Sequence, residues 1–137
     1  MKVVFDSNIY ISWIREHKNA DLLLDVGTQK YLSCYVLMEL WAGAITKKGV
    51  RVVEKLQKPY LKANRVIELR TDNFITAGQL LSDVPKKQRS RLHDAGFIND
   101  VLIAVSAVAI GATLYTMNKA DFTIIRDLLQ GLKVVYV

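Results

Sequence analysis

Four acidic residues are candidates for chemistry because of where they stand in the sequence. Two follow predicted strands and two lie at or within long uncharged stretches; they are Asp6, Glu39, Asp100 and Asp121. Glu39 is the only charged residue between Cys34 and Ile45, and Asp100 opens the uncharged run Val101–Met117. A carboxylate buried in an apolar helix needs a proton, polar partners or a metal ion, because burial disfavours its charged form.

Each of these acids also has a purely structural explanation. Asp6 could cap the helix that follows the first strand, and Asp100 could favour the first turn of its own helix. Glu39 could reach solvent through a gap in the surface. Asn118 and Asp121 fit a variant of the capping box, and this capping role is compatible with a second role in a shared site.

The elements that must position these acids alternate between strand and helix patterns. This alternation predicts an α/β fold, a single domain over residues 1–137 with a mainly parallel central sheet flanked by helices. Strands are predicted at Lys2–Phe5, Tyr31–Ser33, Arg65–Leu69, Thr113–Met117 and Lys133–Val137. Helices are predicted at Ser7–His17, Ala20–Val26, Cys34–Ile45, Lys47–Lys58, Thr71–Leu81, Phe97–Ile110 and Lys119–Gln130, with Pro59 ending or kinking the fourth and a basic loop or helix start at Pro85–Leu92.

A parallel sheet could bring the four acids together, because sites in such sheets form at the carboxyl ends of the strands. Four neighbouring carboxylates repel one another unless a cation lies among them. Oxygen ligands without His or Cys point to Mg²⁺ or Mn²⁺. The chain carries a net charge of +6, and an acidic metal site on a basic chain suggests hydrolysis of a phosphodiester.

Other common sites find little support in the sequence. The phosphate-binding patterns G-x-x-x-x-G-K-[ST] and G-x-G-x-x-G are absent, and so is the G-x-S-x-G nucleophile elbow. One cysteine and two histidines barely supply the ligands of a zinc site. An acid-based hydrolytic site is therefore the chemistry that the residue types favour.

The four acids lie in segments that resemble the motifs of the PIN-domain family, and more narrowly those of VapC-type toxin ribonucleases. Asp6-Ser7-Asn8 is similar to the family's opening Asp-Thr/Ser-Asn/Ser, and Glu39-Leu40 to the Glu-Leu of its apolar helix. Asp100-Val101-Leu102-Ile103-Ala104 resembles Asp-x-x-Ile-Ala, and Thr116-x-Asn118-x-x-Asp121-Phe122 resembles the closing Thr-x-Asn-x-x-Asp-Phe. The departures are Val105, where a second Ala is usual, and Ser7, which replaces the commoner Thr but keeps the hydroxyl.

The resemblance implies a metal-dependent endoribonuclease, the toxin of a type II pair similar to VapBC. Such an enzyme hydrolyses RNA by metal-activated water, leaving a 5′-phosphate and a 3′-hydroxyl. Carried over by motif, Asp6, Glu39, Asp100 and Asp121 are the catalytic acids and the ligands of Mg²⁺ or Mn²⁺. Ser7, Asn8, Thr116 and Asn118 are supporting residues. A homodimer and a VapB-like antitoxin are the partners that the resemblance implies.

Two clusters of basic residues are candidates for binding RNA phosphates, which position a substrate without specifying its sequence. Lys48, Arg51, Lys55 and Lys58 are spaced to share one helix face. Lys86, Lys87, Arg89 and Arg91 precede the segment of Asp100. The alternative is that each cluster is an ordinary solvated surface.

Composition sets the class of protein. Hydrophobic residues make up 51% of the 137 residues, which excludes a mostly disordered chain. A single cysteine excludes a secreted disulfide scaffold and favours a reducing, cytoplasmic setting. Gly111 and β-branched residues divide the uncharged stretch Val101–Asn118, which predicts a buried helix and a buried strand and no membrane span.

Two other functions stay open on the sequence alone. One is a PIN-fold nuclease of RNA processing or decay that has no antitoxin. The other is a catalytically silent RNA-binding scaffold, against which the intact set of four acids argues, because such a module has no reason to keep a repulsive cluster.

Overall fold

A parallel five-stranded sheet organises the chain, which the computed structural model describes over residues 1–137. The strands are β1 (Lys2–Phe5), β2 (Gln29–Ser33), β3 (Val66–Ile67), β4 (Thr113–Thr116) and β5 (Lys133–Tyr136). Their order across the sheet is β3-β2-β1-β4-β5, and all four strand pairs are parallel. The predicted α/β class is confirmed, and β1 and β4 lie side by side at its centre.

Helices connect the strands and cover the sheet. They are α1 (Ser7–Glu16), α2 (Ala20–Leu24), α3 (Cys34–Ala42), α4 (Lys47–Lys62), α5 (Thr71–Ser82), a 3₁₀ helix (Lys86–His93), α6 (Ala95–Ala109) and α7 (Lys119–Leu128). Parallel strands require such crossovers, because the chain must return to the same edge before each new strand begins.

The core is built from the central strand and the most apolar helix. Val3, Val4 and Phe5 of β1 are all buried, as expected for a parallel strand covered on both faces. Phe97 and Ile103 of α6 are fully buried against the sheet side of the molecule. The uncharged stretch after Asp100 is therefore a core helix followed by β4, as predicted.

No single helix is long and apolar enough to cross a membrane. The 3₁₀ helix and α6 together are long and apolar enough, but the two helices meet at a bend of 98°.

Two predictions about helices were wrong. Pro59 does not end α4, which continues to Lys62. Two contacts hold the turn after it: the Tyr60 hydroxyl lies 2.9 Å from that of Tyr10, and the Ala63 N–H donates to the Pro59 carbonyl at 3.0 Å. The helix predicted over Cys34–Ile45 ends earlier, at Ala42, and it exposes Met38 to 52%.

Candidate active site

Asp6 lies at the carboxyl end of β1 and is held by three neighbours. Its Oδ1 accepts the Ser7 N–H at 2.7 Å, which makes Asp6 the N-cap of α1. Its Oδ2 accepts the Thr116 hydroxyl at 2.7 Å and the Asn8 amide at 3.1 Å. Because Thr116 ends the adjacent strand β4, these bonds join the two central strands at the edge where the site was expected.

Asn118 brings two further acids to the same edge. Its side-chain amide donates to Asp100 Oδ2 at 3.1 Å and to Asp121 Oδ2 at 3.2 Å. Its Oδ1 accepts the Asp121 N–H at 3.2 Å, so Asn118 caps α7 as predicted. The capping explanations for Asp6 and Asp121 are therefore confirmed, and they coexist with the clustering of the acids.

The first-turn explanation for Asp100 was wrong. Helix α6 begins at Ala95, earlier than predicted, and Asp94 caps it by accepting the Gly96 N–H at 2.8 Å. Asp100 consequently lies beyond the first turn, where the helix N-terminus no longer favours a charge. It is only 8% exposed. A role in helix capping therefore does not explain why Asp100 is buried beside other acids.

Glu39 approaches the cluster from α3. Its Oε2 accepts the Ser7 hydroxyl at 3.2 Å, whereas its Oε1 is buried and has no hydrogen-bond partner. An unpaired buried carboxylate oxygen is costly and calls for a proton or a cation. Glu39 also lines a small cavity of about 90 Å³ between α1, α3 and α4.

Burial and mutual repulsion disfavour the charged forms of three of the acids. Desolvation, reinforced by the charges of Asp6 and Asp121, raises the pKa of Asp100 to about 9. Burial likewise raises the pKa of Asp6 and of Glu39, with smaller contributions from neighbouring carboxylates. At neutral pH the metal-free cluster therefore retains a proton on Asp100.

The donor chemistry of this cluster suits a hard divalent cation. It consists of carboxylate oxygens, one of them unpaired, and contains no nitrogen or sulfur ligand. As the side chains lie, no three acidic, histidine or cysteine side chains converge to hold a metal ion. Hydrogen bonds from Ser7, Asn8, Thr116 and Asn118 instead satisfy most of the carboxylate oxygens.

Arg91 is a member of the site in a way that the sequence did not indicate. The sequence grouped it with Lys86, Lys87 and Arg89 as a surface cluster. Those three side chains are exposed on the 3₁₀ helix, whereas Arg91 is half-buried and forms an ion pair with Asp121 Oδ1. Only the folded structure distinguishes Arg91 from its basic neighbours, because nothing in their spacing along the sequence sets it apart.

The basic residues of α4 share a surface, as predicted. Lys48, Arg51, Lys55 and Lys58 line one open concavity of about 580 Å³, which also contains Glu54 and Val52. Val52 belongs as well to the wall of the small cavity beside Glu39. The basic surface therefore continues toward the acidic cluster.

Comparison with known proteins agrees with this architecture. Residues 3–128 match the PIN domain family. A chain of the VapBC2 complex from Rickettsia felis, bound to a promoter DNA fragment, is 26% identical with a TM-score of 0.67, and the alignment covers 100% of this chain and 99% of that one.

Chains of VapBC-1 from nontypeable Haemophilus influenzae and of DNA-bound VapBC from Salmonella typhimurium share the fold at 22% identity. Their TM-scores are 0.71 and 0.66, and each alignment covers 99% of this chain and 98% of the other. No curated protein sequence matches the chain. The family match spans all four acids and the elements from β1 to α7, and the chain belongs to the PIN domain family.

Proposed function

We propose that this protein is a metal-dependent endoribonuclease, the toxin of a VapBC-like toxin-antitoxin pair. The observation that carries the proposal is the crowding of four carboxylates at the junction of β1 and β4 in a chain of net charge +6. Membership of the PIN domain family and the likeness to chains of VapBC complexes support the same assignment.

The acids are proposed to hold Mg²⁺ or Mn²⁺. Asp6, Glu39, Asp100 and Asp121 supply the ligand oxygens, and the unpaired Oε1 of Glu39 is the atom most in need of a cation. When bound, the ion would polarise the scissile phosphate and lower the pKa of attacking water. To serve as a ligand, Asp100 would have to release the proton that burial keeps on it, since a carboxylate binds a cation in its ionised form.

The surrounding polar residues hold the acids in place. Thr116 and Asn8 fix one oxygen of Asp6, and Asn118 ties Asp100 to Asp121. These bonds limit the rotation of carboxylates that repel one another, so the cluster keeps its arrangement before substrate arrives. The basic surface of α4 would bind the phosphates of single-stranded or looped RNA and lead the chain toward Glu39.

The decisive experiment is cleavage of an end-labelled single-stranded RNA by the purified protein. We expect cleavage with Mg²⁺ or Mn²⁺, none in EDTA, and at least a ~100-fold loss in Asp100→Asn. Asp127→Asn is the matched control, because Asp127 is exposed on α7 and forms no ion pair. Undiminished cleavage in EDTA, or in Asp100→Asn, would refute the metal mechanism.

The chemistry of the products tests the mechanism separately. Attack by water leaves 5′-phosphate and 3′-hydroxyl ends, and a 2′-deoxy substitution at the cleaved nucleotide should not stop the reaction. Cyclic 2′,3′-phosphate ends would mean that the RNA hydroxyl is the nucleophile and that the proposed water route is wrong.

Antitoxin and dimer are further parts of the proposal. Induction of the protein alone should arrest growth, and coexpression of a small antitoxin encoded beside it should restore growth. Normal growth despite RNA-cleaving protein would favour the processing or decay nuclease, whereas RNA binding without any cleavage would favour the silent scaffold. Light scattering on the purified chain tests the homodimer.

A further inference from the structure

Arg91 is the only cation that touches the acidic cluster. The structure contains two ion pairs, and the other, between Lys18 and Glu16, lies on the surface away from the four acids. Asp121 uses both carboxylate oxygens, Oδ1 with Arg91 and Oδ2 with the amide of Asn118. Glu39 at the other side of the cluster retains an unpaired oxygen. Asp121 is thus paired with a cation, whereas Glu39 forms no ion pair, although Arg15 lines the same small cavity as Glu39.

The position of Arg91 is fixed by the fold. Its guanidinium lies over the ring of Phe97, 5.9 Å from the ring centre, and Phe97 is fully buried in α6. Its carbonyl accepts the N–H of Asp94, the residue that caps α6. The helix that carries Asp100 therefore also anchors Arg91, and the ion pair is not an accidental contact of a free surface side chain.

The guanidinium also remains open to a ligand. The Arg91 side chain is 34% exposed, whereas that of Asp121 is 13% exposed. An arginine has five N–H donors in a fixed planar arrangement that suits phosphate. Its Nη1 contacts Asp121, and the other guanidinium nitrogens form no hydrogen bond within the protein, so they are available to a phosphate.

We propose that Arg91 supplies the second positive charge of the site in place of a second metal ion. The chain would then bind one divalent ion, on the side of Asp6, Glu39 and Asp100, and present Arg91 to the scissile phosphate. Asp121 acts through Arg91, and Arg91 is a substrate-binding residue with a fixed counter-ion. This inference rests on the proposed function but removes Asp121 from the metal ligands assigned there, because both of its carboxylate oxygens already have partners in Arg91 and Asn118.

The number of bound ions is measured without RNA. Titration of the wild-type protein with Mn²⁺, followed by calorimetry and by the electron paramagnetic resonance of free Mn²⁺, should give one ion per chain. Arg91→Gln should gain a second, weaker ion, because Asp121 loses its counter-ion. Arg91→Lys should keep one ion, since the charge is retained. Asp121→Asn should also keep one ion, with affinity changed less than about threefold.

Arg126→Gln is the matched control for the titration. Arg126 is exposed on α7, the helix that carries Asp121, and its guanidinium faces the ring of Tyr136. Like Arg91→Gln, this substitution removes one positive charge, but it does so from a residue that does not touch the acids. It should leave one ion per chain. One ion in Arg91→Gln, two ions in the wild type, or loss of the ion in Asp121→Asn would each overturn the inference. If Arg91→Gln does not fold, the wild type and Asp121→Asn still decide the question.

Cleavage kinetics test the contact with phosphate. At limiting Mn²⁺, Arg91→Gln should lose at least about tenfold in kcat/KM, and Arg91→Lys should lose less because it keeps one charged donor. Raising Mn²⁺ should restore part of the loss in Arg91→Gln by filling the vacated side. Unchanged kcat/KM in Arg91→Gln would overturn the role in substrate binding. A wild-type protein that binds one Mn²⁺ but cuts no RNA would refute the proposed function and leave the ion count intact.

Discussion

Asp100 bears the largest electrostatic cost in the metal-free protein. Its pKa is raised by burial from 3.8 to about 9 in the folded chain, whereas the unfolded chain ionises it normally. The folded state therefore binds one more proton between these two pH values, and its free energy of unfolding falls as pH rises through that range. A carboxylate placed in this way destabilises the fold unless it serves a ligand.

The Asp100→Asn variant tests this cost. The amide mimics the protonated acid, so in EDTA we expect the variant to be more stable than wild type by a margin that grows with pH. The difference in free energy of unfolding between the two proteins should increase by at most about 1.4 kcal/mol per pH unit between pH 5 and 8. Urea unfolding of both proteins at several pH values measures it. A margin that is flat or that shrinks with pH would contradict the burial of an uncompensated carboxyl group.

The side chain of Asn118 has two roles: its oxygen caps α7, and its NH₂ group donates to Asp100 and Asp121. Substitutions at this residue can separate the two. Asn118→Ser keeps a side-chain oxygen for the N-cap of α7, whereas Asn118→Asp keeps the cap but turns a third carboxylate toward Asp100 and Asp121. We expect Asn118→Asp to be less stable than Asn118→Ser by at least about 1 kcal/mol in EDTA at pH 8. Denaturant unfolding checks this. Equal stability of the two variants would mean that the Asn118 amide only caps the helix.

At the scale of elements, local patterns predicted what local forces determine. β1, the cap at Asp6 and the helical periodicity of α7 follow from neighbouring residues, and each was predicted to within a residue or two. The extension of α4 past Pro59 was not, and the contact that Tyr60 makes there is with Tyr10, which is 50 residues away in the sequence and invisible to a local pattern. The 3₁₀ helix was predicted only as a basic loop or helix start. Its most informative residue, Arg91, differs from its neighbours solely through a tertiary contact.

The basic face of α4 makes a prediction about salt. Lys55→Gln combined with Lys58→Gln should raise KM for RNA severalfold and reduce the dependence of log binding on log salt by about 0.7 for each lost phosphate contact. The matched control is Lys2→Gln with Lys133→Gln. Both residues begin strands, so they lie at the amino ends of the strands, whereas the acids lie at the carboxyl ends. RNA-binding titrations at several salt concentrations measure both slopes. Equal losses in the two double variants would indicate a response to net charge alone.

At the scale of the whole molecule, the site is assembled from both ends of the chain. Asp6 follows the first strand and Asp121 belongs to the last helix, and they meet only because β1 and β4 are neighbours in the sheet. The sequence could predict that the four acids share an edge, since that follows from parallel topology and motif order. It could not predict that Asp100 would be protonated, that Glu39 would keep an unpaired oxygen or that Arg91 would pair with Asp121. These features depend on how the side chains are buried in the folded chain.

This assembly makes metal binding a property of the folded state. The unfolded chain holds the acids far apart, so an ion that binds the native site raises the free energy of unfolding by mass action. At a Mn²⁺ concentration 100 times the dissociation constant the gain is about 2.7 kcal/mol. For a domain of this size that corresponds to a rise in Tm on the order of 10 °C.

Thermal melting with and without Mn²⁺ measures this coupling, and EDTA should reverse it. Asp100→Asn should start from an equal or higher Tm in EDTA at pH 8 but gain less than a third of the wild-type rise at the same Mn²⁺ concentration, because a ligand oxygen and its charge are lost. Asp127→Asn, exposed on α7, should gain as much as wild type. If Mn²⁺ raised the Tm of Asp100→Asn and of wild type equally, the ion would bind some other part of the fold. Metal binding would then not explain why Asp100 is buried.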